Sequence, residues 1–178
     1  MKTSVFTLFL LVLLTLTGCN SEPSLQTYFV ENTDNNDFIV LDVSPEILNV
    51  DKAKLSSDQN EALQSFEKIN ILAFKATEKN QTQFEAERAR VKAILKNPKY
   101  QDLMKVGSGK DGALVSFVGT DENIEEFVIF ANRKENGFAV VRVLGKKMNP
   151  NTIMTLMTVL KDSKIDMEQL KPLQQLIK

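Results

Sequence analysis

Apolar positions recur along this chain with two spacings, which predict a mixture of helices and strands. Spacings of three and four residues predict helices. Four helices are expected to begin near Leu25, after Ser56, near Phe84 and after Asn149-Pro150. Runs rich in β-branched and aromatic residues predict strands instead. Five such runs occur, at residues 38–43, 69–75, 113–118, 126–131 and 138–144.

The expected fold is α+β, with a largely antiparallel sheet of about five strands packed against helices. Short connections join the last three strands, so these should form an antiparallel meander. The strands are apolar on both faces; along the last one, Val140 shares a side with Arg142 and Val141 points the other way. The second sheet face should therefore be covered by a further helix layer or dock against a partner.

Two capping boxes are expected at helix starts. In the first, Ser56 is followed three residues later by Gln59, and in the second Thr82 is followed by Glu85. Each pair offers a side chain to the first free backbone N–H groups of a helix. The second box would open the longest helix of the chain.

The charged residues of that longest helix, between positions 85 and 96, should form its solvated side. Pro98 should interrupt the helix, because proline lacks the N–H that a helix interior needs. Residues 100–104 would then resume its apolar face, and Gly107 would end it. A last apolar segment begins at Asp166.

The first 18 residues have the features of a secretory signal, with a positive start and an apolar run of about a dozen residues. The run is too short to span a bilayer, which needs about 20 residues. It closes on Leu16-Thr17-Gly18-Cys19, which resembles a bacterial lipobox. That resemblance implies cleavage before Cys19, a thioether-linked diacylglycerol on its sulfur and an acylated amine. The alternative is an ordinary signal peptide followed by a chance cysteine.

Three segments follow from this interpretation: a signal peptide at residues 1–18, a lipidated tether at 19–24 and one α+β domain at 25–178. The mature chain of 160 residues is long enough to bury a core without disulfides. Its 21 basic and 23 acidic residues give a formal charge of −2. This balance argues against nucleic acid as a partner and against a polybasic membrane patch.

The residue inventory excludes several classes of enzyme. The chain has no histidine and a single cysteine, which removes Ser-His-Asp triads, Cys-His pairs and the usual zinc sites. The glycine-rich stretch at residues 107–112 is no phosphate loop, because Met104 stands where the first glycine is required and Asp111 follows the lysine. We therefore expect no catalytic, cofactor-binding or metal-binding residues.

Two acidic groups keep alternatives open. Residues 121–126 hold the densest acidic cluster, Asp121, Glu122, Glu125 and Glu126, which would serve a carboxylate-based hydrolase acting in the periplasm. Solvated turn charges are the simpler interpretation. Residues 34–37 begin like a calcium loop, but Phe38 follows and the required glycine is missing.

Three stretches carry a family resemblance: residues 99–104 (KYQDLM), 125–130 (EEFVIF) and 138–145 (FAVVRVLG), running on to Asn149-Pro150. They resemble the lipoprotein family of Bacteroidetes catalogued as domain of unknown function 4252. The resemblance covers nearly all of the mature chain and implies an envelope-anchored α+β domain. Genes of that family often lie near extracytoplasmic-function sigma factors, which implies a role in envelope sensing. The motifs are apolar strands and turns, so they transfer no catalytic or binding residue.

The expected function is therefore a lipid-anchored, non-enzymatic binding, scaffold or envelope-sensing module. Its partners would be membrane lipid, through Cys19, and an envelope protein bound at the open sheet face or in a groove beside the meander. Asn20 is not the aspartate that retains enteric lipoproteins in the inner membrane, so the outer membrane is expected. Glu22 stands alone where a surface-export signal would be an acidic run, which favours the periplasmic side over the cell surface.

Overall fold

The computed structural model describes residues 22–48, 50–107 and 111–162. Six strands lie in this part of the chain: β1 (Phe38–Val43), β2 (Phe66–Lys75), β3 (Gln101–Gly107), β4 (Gly112–Thr120), β5 (Asn123–Arg133) and β6 (Gly137–Met148). Four α-helices accompany them: α1 (Leu25–Glu31), α2 (Ser57–Ser65), α3 (Gln81–Ile94) and α4 (Pro150–Asp162). Two short 3₁₀ turns, Pro45–Leu48 and Lys52–Lys54, link β1 to α2.

All six strands form one antiparallel sheet in the order β1-β2-β6-β5-β4-β3. The expected α+β class is confirmed, with six strands where about five were predicted. The pairing aligns apolar residues in a row across the whole sheet, which fixes the register because a slip of one residue would turn each of them to the other face. This row consists of Leu41, Ile71, Val141, Ile129, Val115 and Met104.

One sheet face packs under α1 and α3 around a cluster of phenylalanine rings. The ring of Phe138 stacks on Phe74 at a centroid distance of 5.6 Å and also contacts Phe38, Phe84 and Phe130. Tyr28, Phe74 and Phe84 are almost completely buried. Large aromatic side chains dominate core energetics through the area they remove from water, so this cluster is the main stabilising feature of the face. The remaining buried members of the core are Leu25, Phe29, Leu72, Ala76, Val91, Ile94, Leu95, Tyr100, Val128 and Val140.

The opposite face packs under α2 and α4. Leu63 of α2 and Leu156 of α4 share a core with Val43 and Ile69, and Ile153 packs with Phe127. The prediction of a second helix layer is therefore confirmed for this part of the face. The two helices lie over one end of the strands.

Local sequence signals account for the helix starts at three places. Ser56 Oγ accepts the N–H of Gln59 at 3.2 Å, and Gln59 Oε1 accepts the N–H of Ser56 at 2.9 Å, which confirms the first capping box. Asn149 Oδ1 accepts the N–H of Thr152 at 2.9 Å at the start of α4. The 3₁₀ turn at Pro45–Leu48 fits the fixed φ of proline.

The second predicted capping box is wrong. Helix α3 begins at Gln81 with Asn80 as its N-cap, so Thr82 already lies inside the helix. The Asn80 side chain is used elsewhere: its Oδ1 accepts the N–H of Thr77 at 2.7 Å, and its Nδ2 donates to the carbonyl of Lys75 at 3.0 Å. The expected partner Glu85 instead forms an ion pair with Arg88.

The prediction that a helix resumes after Pro98 is also wrong, because this stretch forms strand β3. The strand is exposed along its whole length, so it has no buried stripe of the kind an amphipathic helix needs. Gly107, expected to cap a helix, ends β3 with a φ of 85° that only glycine adopts freely. Pairing with the otherwise free edge of β4 satisfies the backbone and overrides the helical pattern. The predicted segment from Asp166 onward lies outside the described residues.

Candidate binding groove

A groove of about 630 Å³ lies on the α1/α3 side of the sheet, between the C-terminal half of α3 and the β3–β4 end. Its apolar wall contains Leu95, Tyr100, Leu114 and Phe130, and three lysines stand around it: Lys92, Lys96 and Lys105. We call this feature the basic groove. It corresponds to the groove beside the meander that was expected as a partner surface.

Helical and strand periodicity together place the lysines. Val91 and Ile94 of α3 are buried against the sheet, whereas Lys92 is half-buried on that helix and Lys96 is exposed in the turn just after its last residue. Lys105 lies opposite Leu114 in the β3–β4 pairing, and Leu114 packs against the core on the α1/α3 face. Residues opposite one another in a sheet share a face, so Lys105 stands on the groove side.

Positive charge is concentrated around the groove although the whole chain has a formal charge of only −1. Residues 88–107 contain six basic side chains and one acidic side chain. The acidic one, Asp102, accepts a hydrogen bond from the buried Ser116 hydroxyl at 3.2 Å. Burial lowers the pKa of Lys92 most, and the like charge of Arg88 lowers it further. Glu85 opposes this shift by raising the pKa, and Lys105 makes a smaller contribution that lowers it. The like charges of Arg88 and Lys105 beside Lys92 create a site that favours an anion.

Strand β3 is an edge strand of the sheet and carries exposed apolar side chains; Met104 and Val106 alternate with Lys105, so they point to the α2/α4 face whereas Lys105 points to the groove. Leu103 is 51% exposed, and Met104 and Val106 are each 55% exposed. Val106 also lines the groove. We call these three residues together with Lys105 the β3 edge. Neighbouring apolar side chains at such exposure are typical of interaction surfaces.

A buried ion pair lies on the same face of the sheet as the groove and contacts α1. Arg142 of β6 is 4% exposed and binds Glu126 of β5, with Nε–Oε1 at 2.7 Å and Nη2–Oε2 at 3.2 Å. Its Nη1 donates to Gln26 of α1 at 2.9 Å, and its guanidinium lies 5.3 Å from the centre of the Phe29 ring. The pair therefore ties α1 to the sheet.

The acidic cluster proposed for hydrolysis does not converge. Asp121 and Glu122 are exposed in the β4–β5 turn, and Glu125 is exposed beside a register shift in β5. Glu126 is the partner of Arg142. The turn at residues 34–37 uses its polar groups locally, since Asn35 Oδ1 accepts the N–H of Asp37 at 3.1 Å.

In residues 22–48, 50–107 and 111–162, no group of three or more acidic or cysteine side chains is arranged to hold a metal ion. No helix among them is long and apolar enough to cross a bilayer. The lipobox residues Leu16, Thr17, Gly18 and Cys19 lie outside the described part of the chain.

The charged side of α3 is less solvated than its sequence suggests. Tyr28 donates its hydroxyl hydrogen to Glu87 at 2.8 Å, and the guanidinium of Arg90 lies 4.9 Å from the centre of the Tyr28 ring. Arg90 also pairs with Glu31 of α1. These contacts fasten α1 to α3, and the lysines beyond them remain at the groove. The sequence did contain a signal for the groove, the local excess of basic residues, which the net charge of the whole chain concealed.

Comparison with known proteins places the chain in one family. Residues 28–156 match the family described as Domain of unknown function (DUF4252), a span that includes the basic groove, the β3 edge and the Arg142–Glu126 pair. No curated protein and no solved structure matches the chain. The match covers more than half of the sequence and confirms the family resemblance of its strands. The chain therefore belongs to the DUF4252 family.

Proposed function

We propose that this protein is a lipid-anchored component of the cell envelope and acts as a non-enzymatic binding module, in a scaffold or sensing role, through the basic groove. The groove is the observation that carries the binding role: it has a volume of about 630 Å³, and three lysines stand around its apolar wall. Such a site suits a partner that is anionic and partly apolar.

The anchor follows from the sequence Leu16-Thr17-Gly18-Cys19 at the end of a short apolar run. A triacylated cysteine would hold the domain stably, because two or more acyl chains bind a bilayer far more tightly than one. The outer membrane, with the domain facing the periplasm, is the location that Asn20 and the lone Glu22 favour.

Replacing the acylated residue tests the anchor. Cys19→Ala should move the protein from the membrane fraction to the soluble fraction of lysed cells, whereas the matched control Ser21→Ala should stay with the membranes. The mass of the Cys19→Ala protein in each fraction shows whether its signal peptide was cleaved, which identifies any protein that an uncleaved signal holds in the membrane. A processed Cys19→Ala protein that still sediments with membranes contradicts the lipid anchor.

Site-specific photo-crosslinking in intact cells tests the groove. A photoreactive residue at Lys105, on the groove, should give adducts with an envelope component. The same residue at Lys54, which lies in the 3₁₀ turn before α2, serves as the control. Adducts of equal yield from both positions, or none from Lys105, would contradict binding at the groove.

A further inference from the structure

The chain that leads to the proposed anchor enters the domain beside the basic groove. Leu25, the first residue of α1, is completely buried, and its N–H donates to the Tyr100 hydroxyl at 3.4 Å. Ser24 caps the helix by accepting the N–H of Thr27 at 3.1 Å. Glu22 accepts a hydrogen bond from Asn97 Nδ2 at 2.9 Å, just after the last turn of α3. The entry point of the tether is therefore fixed against the C-terminal end of α3.

Very little chain separates this point from Cys19. Three residue steps connect Cys19 to Glu22, and an extended chain covers at most about 3.6 Å per residue. The backbone of Cys19 can therefore lie at most roughly 11 Å from that of Glu22, with the sulfur one side-chain length further away. A tether of this length leaves the domain few orientations relative to the bilayer.

The surface around the entry point has the composition of a membrane-contacting surface. Lys96 and Lys99 are exposed there, and Lys105 is exposed further along β3. The apolar side chains of the β3 edge, each about half exposed, follow directly in the chain. Lysines next to exposed leucine, methionine and valine bind an anionic bilayer by combining electrostatic attraction with shallow apolar insertion.

We propose that the β3 edge, the neighbouring Lys99 and the lysines of the basic groove lie against the anionic surface of the bilayer that holds the lipid of Cys19. This inference rests on the proposed lipid anchor and names the partner of the groove. The bilayer surface supplies anionic groups opposite the exposed Lys96 and Lys105. The acidic groups nearby are already engaged, Asp102 by Ser116 and Glu22 by Asn97. The acidic turn with Asp121 and Glu122 lies at the other end of β4.

A second copy of the chain fits this surface less well than a bilayer. A two-fold symmetric contact would bring the same lysines of both copies face to face. Like charges in one interface oppose association. An anionic bilayer complements the same lysines and also accommodates the apolar β3 edge.

Lysine footprinting of the lipidated full-length mature protein tests the proposal. The protein is reconstituted into phosphatidylcholine vesicles that contain phosphatidylglycerol, and the rate of acetylation of each lysine is compared with that in neutral detergent micelles. Lys96, Lys99 and Lys105 should react several-fold more slowly on the vesicles, and Lys54 and Lys146 should react at unchanged rates. Added salt should remove much of the protection, because it screens exposed charges.

Two double variants that lose the same number of positive charges distinguish contact through the proposed bilayer-facing surface from an effect of total charge. In Lys99→Gln/Lys105→Gln the reporter Lys96 should lose its protection, whereas in Lys54→Gln/Lys146→Gln it should keep it. Equal acetylation of Lys96, Lys99 and Lys105 in vesicles and micelles overturns the proposal, as does protection of Lys54 and Lys146 instead. Protection that appears only when envelope extract is added also overturns it, in favour of a protein partner. A protein that fails to float with the vesicles overturns the lipid anchor itself.

Discussion

Arg142 and Glu126 lie diagonally across from each other on neighbouring strands and form a two-pronged ion pair that is largely removed from water. Arg142 also contacts Gln26 and Phe29, both in α1. The pair therefore joins the centre of the sheet to the helix that leads to the proposed anchor. Its buried position makes it sensitive to the loss of either partner.

Removal of the arginine should be strongly destabilising. Arg142→Met leaves Glu126 buried without its partner, and we expect a loss of about 3–5 kcal/mol in the free energy of unfolding. The matched control is Lys146→Met, which removes a cation whose pair with Glu67 is exposed and should leave the urea midpoint nearly unchanged. Urea unfolding followed by circular dichroism measures both. Equal losses of unfolding free energy in Arg142→Met and Lys146→Met would contradict the claim that burial makes the Arg142–Glu126 pair important for stability.

The aromatic cluster should dominate the stability of the α1/α3 face. Phe138→Ala removes a ring that contacts four other rings, and we expect a loss of about 3–5 kcal/mol. Leu103→Ala also removes a large apolar side chain, but from the half-exposed β3 edge, so the unfolding midpoint should change little. A small effect of Phe138→Ala would show that the cluster does not pack as described.

The capping box of α2 can be tested by one substitution. Ser56→Ala removes the oxygen that accepts the N–H of Gln59 and should cost about 1 kcal/mol. The neighbouring Ser57→Ala, inside the helix, should cost less because alanine is the better helix former. Thermal unfolding of the two variants measures the difference. A larger loss from Ser57→Ala would contradict the assigned N-cap.

Stability should fall at alkaline pH through Tyr28. Burial, and then its hydrogen bond to Glu87, raise the pKa of Tyr28 well above the ordinary value of 10.0. Because the folded protein holds the phenol proton more tightly than the unfolded chain, this stabilisation is complete below pH 10 and is lost as the pH rises above it. The loss is at most about 1.4 kcal/mol per pH unit.

Tyr28→Phe isolates this effect. The variant should be less stable than the wild type near neutral pH, since it lacks the hydrogen bond to Glu87, and its stability should fall less steeply above about pH 10. Tyr100, whose pKa is also raised by burial, stays in both proteins and cancels in the comparison. Urea midpoints measured across this pH range would contradict the assignment if both proteins gave the same slope.

Sequence patterns predicted the parts of this fold that local chemistry decides. The strand at Phe38–Val43, the capping box at Ser56 and the cap at Asn149 each depend on residues within a few positions of one another. Pairings between strands that are distant in the sequence were harder to predict from local patterns. Strand β3 has the spacing of a helix and becomes a strand because β4 offers it a free edge.

The candidate site depends on contacts that no local pattern contains. The basic groove combines lysines of α3, of the turn after it and of β3 with an apolar wall from that same connection and from β4 and β5. Alternation along β6 did place Arg142 on an apolar face, but its partner could be identified only from the register of β5 and β6. The net charge of the whole chain does not reveal a local excess of basic residues. Local charge counts over residues 88–107 would have indicated the basic surface.

The intact mass of the protein extracted from cell membranes tests the central claim most directly. We predict a chain that begins at Cys19 and carries a diacylglyceryl group and an amide-linked acyl chain on that residue. Loss of the added mass in Cys19→Ala would assign the modification to the sulfur and the new amino terminus. A membrane-extracted chain with an unmodified Cys19 would contradict the lipid anchor and the bilayer-facing orientation that depends on it.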